Sequence, residues 1–127
     1  MRAVDTNVLV RLLTRDDPAQ VAAAEAWVVP GAWVSHVALV EALWVLEAVY
    51  AATHRRLGNA VEMLLEHQDL ALQDPDVVAA ALEIFRARKR VGFSDCLLVE
   101  IARKAGHTPL GTFDRALARV AGAERVE

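Results

Sequence analysis

The chain has 127 residues, 55% of them apolar and 24% charged, which fits one folded domain of the usual roughly 100–150 residues and excludes a disordered chain. With 14 basic against 17 acidic residues the net charge is −3, so a protein that coats nucleic acid by bulk charge is disfavoured, while a local basic patch stays open. The single cysteine, Cys96, excludes an internal disulfide and a cysteine-built zinc site. No apolar run like that of a signal peptide follows the first residues, and none reaches the ~20 residues a membrane span needs. The expectation is a cytoplasmic domain, residues 1–127, that does not engage a membrane.

Ala3-Val4 is a short apolar run stopped by Asp5. Thr6 to Thr14 places Val8, Leu9, Leu12 and Leu13 on one helical face. Asp16-Asp17-Pro18 opens a helix over Ala19 to Val29, with an acid at the cap and proline in the first turn. A strand over Ala32 to Ser35 follows, then a long apolar helix over Val37 to Ala52 and another over Arg55 to His67. Leu70-Ala71-Leu72 reads as a strand. Asp74-Pro75 opens a helix that closes with Arg86, Arg88, Lys89 and Arg90, charges that match the helix dipole. Ser94 is placed to cap a helix over Asp95 to Lys104, ended by Gly106. A strand over Pro109-Leu110-Gly111 leads through Thr112 to Asp114, and a last helix runs to about Val120. Short strands alternating with helices predict an α/β fold, a three-layer α/β/α sandwich around a short parallel sheet of four or five strands.

Four acids stand out. Asp5 and Asp114 lie at or just past the ends of predicted strands, where open parallel sheets bind ligands. Asp114 reads equally as a helix cap, and one carboxylate can serve both roles. Glu41 has Val37, Ala38, Trp44 and Val45 one turn away, and its helix holds no Lys or Arg. If that helix is buried all round, an unpaired carboxylate there requires a proton, a partner or a metal. The alternative is a narrow solvent stripe shared with Ala38, Ala48 and Ala52. Asp95 reads on its own as a first-turn acid that suits the helix dipole. Glu100 falls five residues further on, off that face, and reads as a surface residue. The histidines (36, 54, 67 and 107) show no paired metal-ligand spacing.

Val4-Asp5-Thr6-Asn7-Val8-Leu9, Glu41 within VALVEALWVL, Phe93-Ser94-Asp95-Cys96-Leu97 and Thr112-Phe113-Asp114-Arg115-Ala116-Leu117 together resemble the PIN domain, most of all the VapC toxins of toxin–antitoxin pairs. The resemblance covers nearly the whole chain. It implies a three-layer α/β/α fold and a Mg²⁺- or Mn²⁺-dependent ribonuclease that hydrolyses phosphodiester bonds with metal-activated water. Carried over position by position, it makes Asp5, Glu41, Asp95 and Asp114 the catalytic metal ligands and Asn7 and Thr112 supporting polar residues. Relatives often carry a further acid after the last one, where this chain has Arg115, Ala116 and Leu117. The implied partners are RNA, with single-stranded loops as substrate, a VapB-like antitoxin in a groove between early helices, and a second copy in a homodimer. Oxygen-only ligands suit hard divalent cations, and the cation would offset repulsion among the acids. Cations must also offset repulsion of the RNA; the candidates are Arg11 and Arg15, the run Arg86, Arg88, Lys89 and Arg90, and Arg115 and Arg119, with Arg115 and Arg11 the preferred substrate-binding residues. Trp27, Trp33, Trp44 and Tyr50 exceed what a small core need hold. Two other classes compete: a PIN-fold interaction module without turnover, and a phosphatase of the haloacid dehalogenase type. The phosphatase wants a second Asp two residues after the first, where this chain has Asn7.

Overall fold

The computed structural model describes residues 1–127. It holds five short strands, β1 (Arg2–Ala3), β2 (Ala32–Val34), β3 (Leu70–Leu72), β4 (Leu110–Thr112) and β5 (Ala123–Arg125). Seven helices alternate with them: α1 (Thr6–Thr14), α2 (Pro18–Val28), α3 (His36–Tyr50), α4 (His54–Glu66), α5 (Pro75–Ala87), α6 (Phe93–Ala105) and α7 (Arg115–Ala118). The chain divides into two compact units, Met1–Pro75 and Asp76–Glu127.

In the first unit β2 is the central strand, paired in parallel with β1 and β3. Its two flanks show why such short strands suffice. Val4 N–H donates to the Trp33 carbonyl just past β1, and Gln73 N–H donates to the Val34 carbonyl just past β3. Parallel strands need crossover helices, and α1 with α2, then α3 with α4, supply them. Asp17 caps α2 by accepting from Gln20 N–H, with Pro18 in the first turn. Ser35 ends the β2 strand and caps α3 by accepting from Ala38 N–H. His36 and His67 serve local structure. His36 N–H and its ring bond Gln73, and the His67 ring accepts from Asp69 N–H.

Helix α3 differs from the apolar pattern of its sequence. One face is buried through Ala38, Leu39, Ala42, Leu43 and Leu46, but Val37, Glu41, Trp44, Ala48 and Val49 face solvent. Trp44 is 57% exposed and Val37 68% exposed. Glu41 is therefore not on a helix buried on every side, and the solvent stripe is real, although Ala38 is not on it. Periodicity could not separate the faces because apolar residues occupy both. Trp27, Trp33 and Tyr50 are also partly exposed, so no tryptophan is a core residue.

In the second unit β4 and β5 pair in parallel, Leu110 with Ala123 and Thr112 with Arg125. The strands thus form a three-stranded and a two-stranded parallel sheet, not one four- or five-stranded ladder. Strand β5 was not expected from its Ala-Glu-Arg sequence, which has no apolar alternation; pairing with β4 alone defines it. The core is built from Val77, Val78, Ala81, Leu82 and Phe85 of α5 and Phe93, Cys96, Leu97 and Val99 of α6. Phe85 and Phe93 meet edge to face with centroids 5.8 Å apart. Buried Phe93 forms the first residue of α6, so the helix begins before Ser94. The cap is Gly92, without a side-chain bond, and Ser94 is not the cap. At the other end of α5 the helix stops at Ala87, so of the basic run only Arg86 is helical.

Candidate active site

Asp5 stands two residues past the end of β1 and caps α1, its Oδ1 accepting from Val8 N–H at 3.2 Å. That bond turns the carboxylate toward the first turn of the helix, whose N–H groups have no partner within it. The next residue, Thr6, donates its hydroxyl hydrogen to Glu41 Oε2 at 2.9 Å. A single hydroxyl therefore links the start of α1 to the exposed acid of α3. Thr6 was not among the residues that the sequence singled out; its only signal was its place between Asp5 and Asn7.

In the second unit Asp95 lies in the first turn of α6 and is half-buried. Burial, and after it the negative charge of Asp114, push its carboxyl above the ordinary aspartate range. Asp114 caps α7, its Oδ1 accepting from Leu117 N–H at 2.9 Å. Its own N–H donates to Thr112 Oγ1 at 3.0 Å. Thr112 thus supports Asp114 through the backbone, and the capping role of Asp114 coexists with whatever its carboxylate does.

The other polar candidates divide. Asn7 makes no hydrogen bond to Asp5; it lines a hollow beside Val8, Ala23, Ala24 and Trp27. The guanidinium of Arg11 is engaged by Gln20, Asp16 and Tyr50. Asp16 lies 2.8 Å from it, so its charge is already balanced within its own unit. Arg115 is exposed and follows Asp114 at the start of α7. Glu100 is buried, not a surface residue, and pairs with Arg103 at 3.0 Å. Its spacing from Asp95 did place it off that face of the helix, but the face it occupies is closed over by Arg103 and the chain around Ala121. Cys96 is fully buried, and burial first, then the charge of Asp95, push its thiol up to about 12. It is neither a nucleophile nor a ligand at neutral pH.

The structure therefore ties Glu41 to Thr6, the residue after Asp5, and puts Asp95 within electrostatic reach of Asp114. It shows no group of three or more His, Cys, Asp or Glu side chains arranged to hold a metal ion. A family model for the PIN domain matches residues 2–123. The chain belongs to the PIN-domain family. No curated protein and no solved structure matches it significantly.

As a PIN domain the chain has the family's α/β fold of short parallel strands and interleaved helices, of the three-layer α/β/α class. PIN domains are generally nucleases and typically use divalent metal ions. The acids present are chemically suited to such an ion. They are hard oxygen donors, and Asp95 beside Asp114 is a carboxylate whose ionisation a nearby cation would relieve. No helix of this PIN domain is long and apolar enough to cross a membrane.

Proposed function

We propose that residues 1–127 are a single PIN nuclease domain, a metal-dependent endoribonuclease that acts as the toxin of a VapBC-type pair in the cytoplasm. The observation that carries this reading is the family match over residues 2–123; Asp5, Glu41, Asp95 and Asp114 are the acids that the sequence resemblance assigns to the metal. Asp5, Glu41, Asp95 and Asp114 would hold Mg²⁺ or Mn²⁺. When bound, such an ion offsets the charge that builds on the phosphate and makes water a nucleophile at neutral pH.

The chain's own residues do the rest. Asp5 is held by the α1 cap, Glu41 by Thr6 and Asp114 by its own capping bond, so these three of the four acids would need less ordering to hold an ion. Thr112 holds the backbone that carries Asp114. Arg115 is the cation offered to the RNA backbone, because Arg11 is committed to Asp16. Single-stranded loops of structured RNA are the proposed substrates, since they expose the backbone without a duplex to open.

A VapB-like antitoxin and a second copy of the chain are the proposed partners. The hollow of 330 Å³ at Val8, Ala23, Ala24 and Trp27 suits side chains of an amphipathic antitoxin helix. The exposed Val37, Trp44 and Val49 of α3 supply apolar surface for a homodimer.

The purified protein is expected to cut single-stranded RNA with Mg²⁺ or Mn²⁺, to stop when a chelator is added, and to lose the activity on Asp5→Asn. Undiminished cleavage by the Asp5→Asn variant sinks the catalytic assignment. Expression is expected to arrest growth, with relief by a co-expressed small partner. A second reading, a PIN module that binds without turnover, is favoured by the lack of any group of three or more metal-holding side chains. Mn²⁺ binding without cleavage of any RNA in a pooled transcript supports that reading over the first.

A further inference from the structure

We infer that Thr6 is a positioning residue for Glu41, its hydroxyl fixing the orientation in which the glutamate serves the metal. The inference rests on the nuclease reading above and adds a residue to it.

Glu41 needs an external support. Its neighbours one turn away on α3 are Val37, Ala38, Trp44 and Val45, and its helix has no Lys or Arg. Exposed on that stripe, a glutamate side chain would spread over many rotamers, and binding a cation would have to collect them at an entropic cost. The hydroxyl of Thr6 holds Oε2 at 2.9 Å and leaves Oε1 as an acceptor.

The donor type suits the task. A Lys or Arg in that position would neutralise the carboxylate and compete with the ion. A neutral hydroxyl orients it and leaves its charge available. Thr6 is also freed for this work by its neighbour. Asp5 supplies the side-chain cap of α1, so the Thr6 hydroxyl is not spent on the helix end. The other bonded threonines act within their own stretch of chain: Thr14 bonds Val10 and Asp16, Thr53 caps α4, and Thr112 accepts from Asp114. Thr6 alone among them donates to a carboxylate on another helix.

The test uses Thr6→Val, which keeps the shape and removes the donor, and Thr6→Ser, which keeps the donor. In metal-free protein, side-chain NMR couplings of Glu41 are expected to report one dominant rotamer in the parent and in Thr6→Ser, and averaging in Thr6→Val. For Mn²⁺ binding, loss of an outer-shell partner typically costs about 10–100-fold, and this exposed pair is placed at the lower end, about tenfold, with Thr6→Ser close to the parent. In a Glu41→Gln background the same Thr6→Val change is expected to cost less than about twofold, because a residue acting through another loses its effect with it. An averaged Glu41 in the parent, or an equal Thr6→Val effect with and without Glu41, overturns the inference. Failure of the parent to cut RNA defeats the nuclease reading separately, since the rotamer measurement needs neither metal nor RNA.

Discussion

The charge of Asp114 acts on the carboxyl of Asp95, adding to the effect of burial in holding it protonated to higher pH than an ordinary aspartate. The folded protein therefore binds that proton more tightly than the unfolded chain. The contribution of Asp95 to stability is greatest below its unfolded pKa of about 3.9 and is lost as pH rises through the raised folded value. At neutral pH the ionised group is a burden on the fold. Asp95→Asn is expected to raise the melting temperature at neutral pH, and the gain should vanish in acid, where Asp95 is protonated in both states. The same variant should lose RNA cleavage. Thermal melts across that pH range decide it, and a variant less stable than the parent at neutral pH contradicts it.

Tyr50 and Asp16 predict the opposite pH trend. The hydroxyl of Tyr50 donates to Asp16 Oδ2 at 2.8 Å. This bond first, then that from Thr14, with Arg11 adding its charge, holds the Asp16 carboxyl below its usual range. A lowered folded pKa gives stability that is present above the unfolded pKa and lost as pH falls through the folded one. Tyr50→Phe is expected to lower the melting temperature at neutral pH, with a difference that narrows as acid protonates Asp16. A difference that widens in acid would contradict this origin.

Ala51 ends α3 in the left-handed region at φ 53, a conformation that costs a residue with a Cβ. Ala51→Gly is expected to stabilise the protein by about 1 kcal/mol in urea unfolding. Gly106 ends α6 at φ 83 with open space where a methyl group would stand, so Gly106→Ala tests backbone strain without a clash. It should destabilise by about 1 kcal/mol. No change on either substitution would show that these helix ends adjust freely.

Arg103 closes the second unit by joining buried Glu100 to the Ala121 carbonyl, which it reaches at 2.7 Å. A methyl group at Gly122 would stand 2.6 Å from the same guanidinium, at a backbone φ of +96. Gly122→Ala and Arg103→Ala should each destabilise, the latter by about 1–2 kcal/mol after allowing for the half-exposed arginine. Their effects should fall short of additive in the double variant, because the first acts partly by displacing the second. Strict additivity in denaturant titrations would separate the two sites.

The sequence was most readable where a local rule and a tertiary need agreed. Asp17-Pro18 marks the start of α2, and Leu70–Leu72 is the strand its apolar run suggests. It was least readable where tertiary partners decide. Apolar residues on both faces of α3 hid the exposure of Glu41. Strand β5 exists through β4, and Glu100 is buried because Arg103 covers it. Asp5 and Asp114 were legible as acids past strand ends, and each caps the helix that follows. What the sequence could not supply was how each is held: Thr6 against Glu41, Thr112 behind Asp114, and Arg11 withdrawn into a pair with Asp16.

Calorimetric titration of Mn²⁺ into the parent and into Asp5→Asn, Glu41→Gln, Asp95→Asn and Asp114→Asn tests the central claim most directly, that each of these carboxylates contributes to metal binding. The parent is expected to bind, with a loss of affinity of at least about tenfold in every one of the variants. Parent-like affinity in any of them, above all in Glu41→Gln, would contradict it.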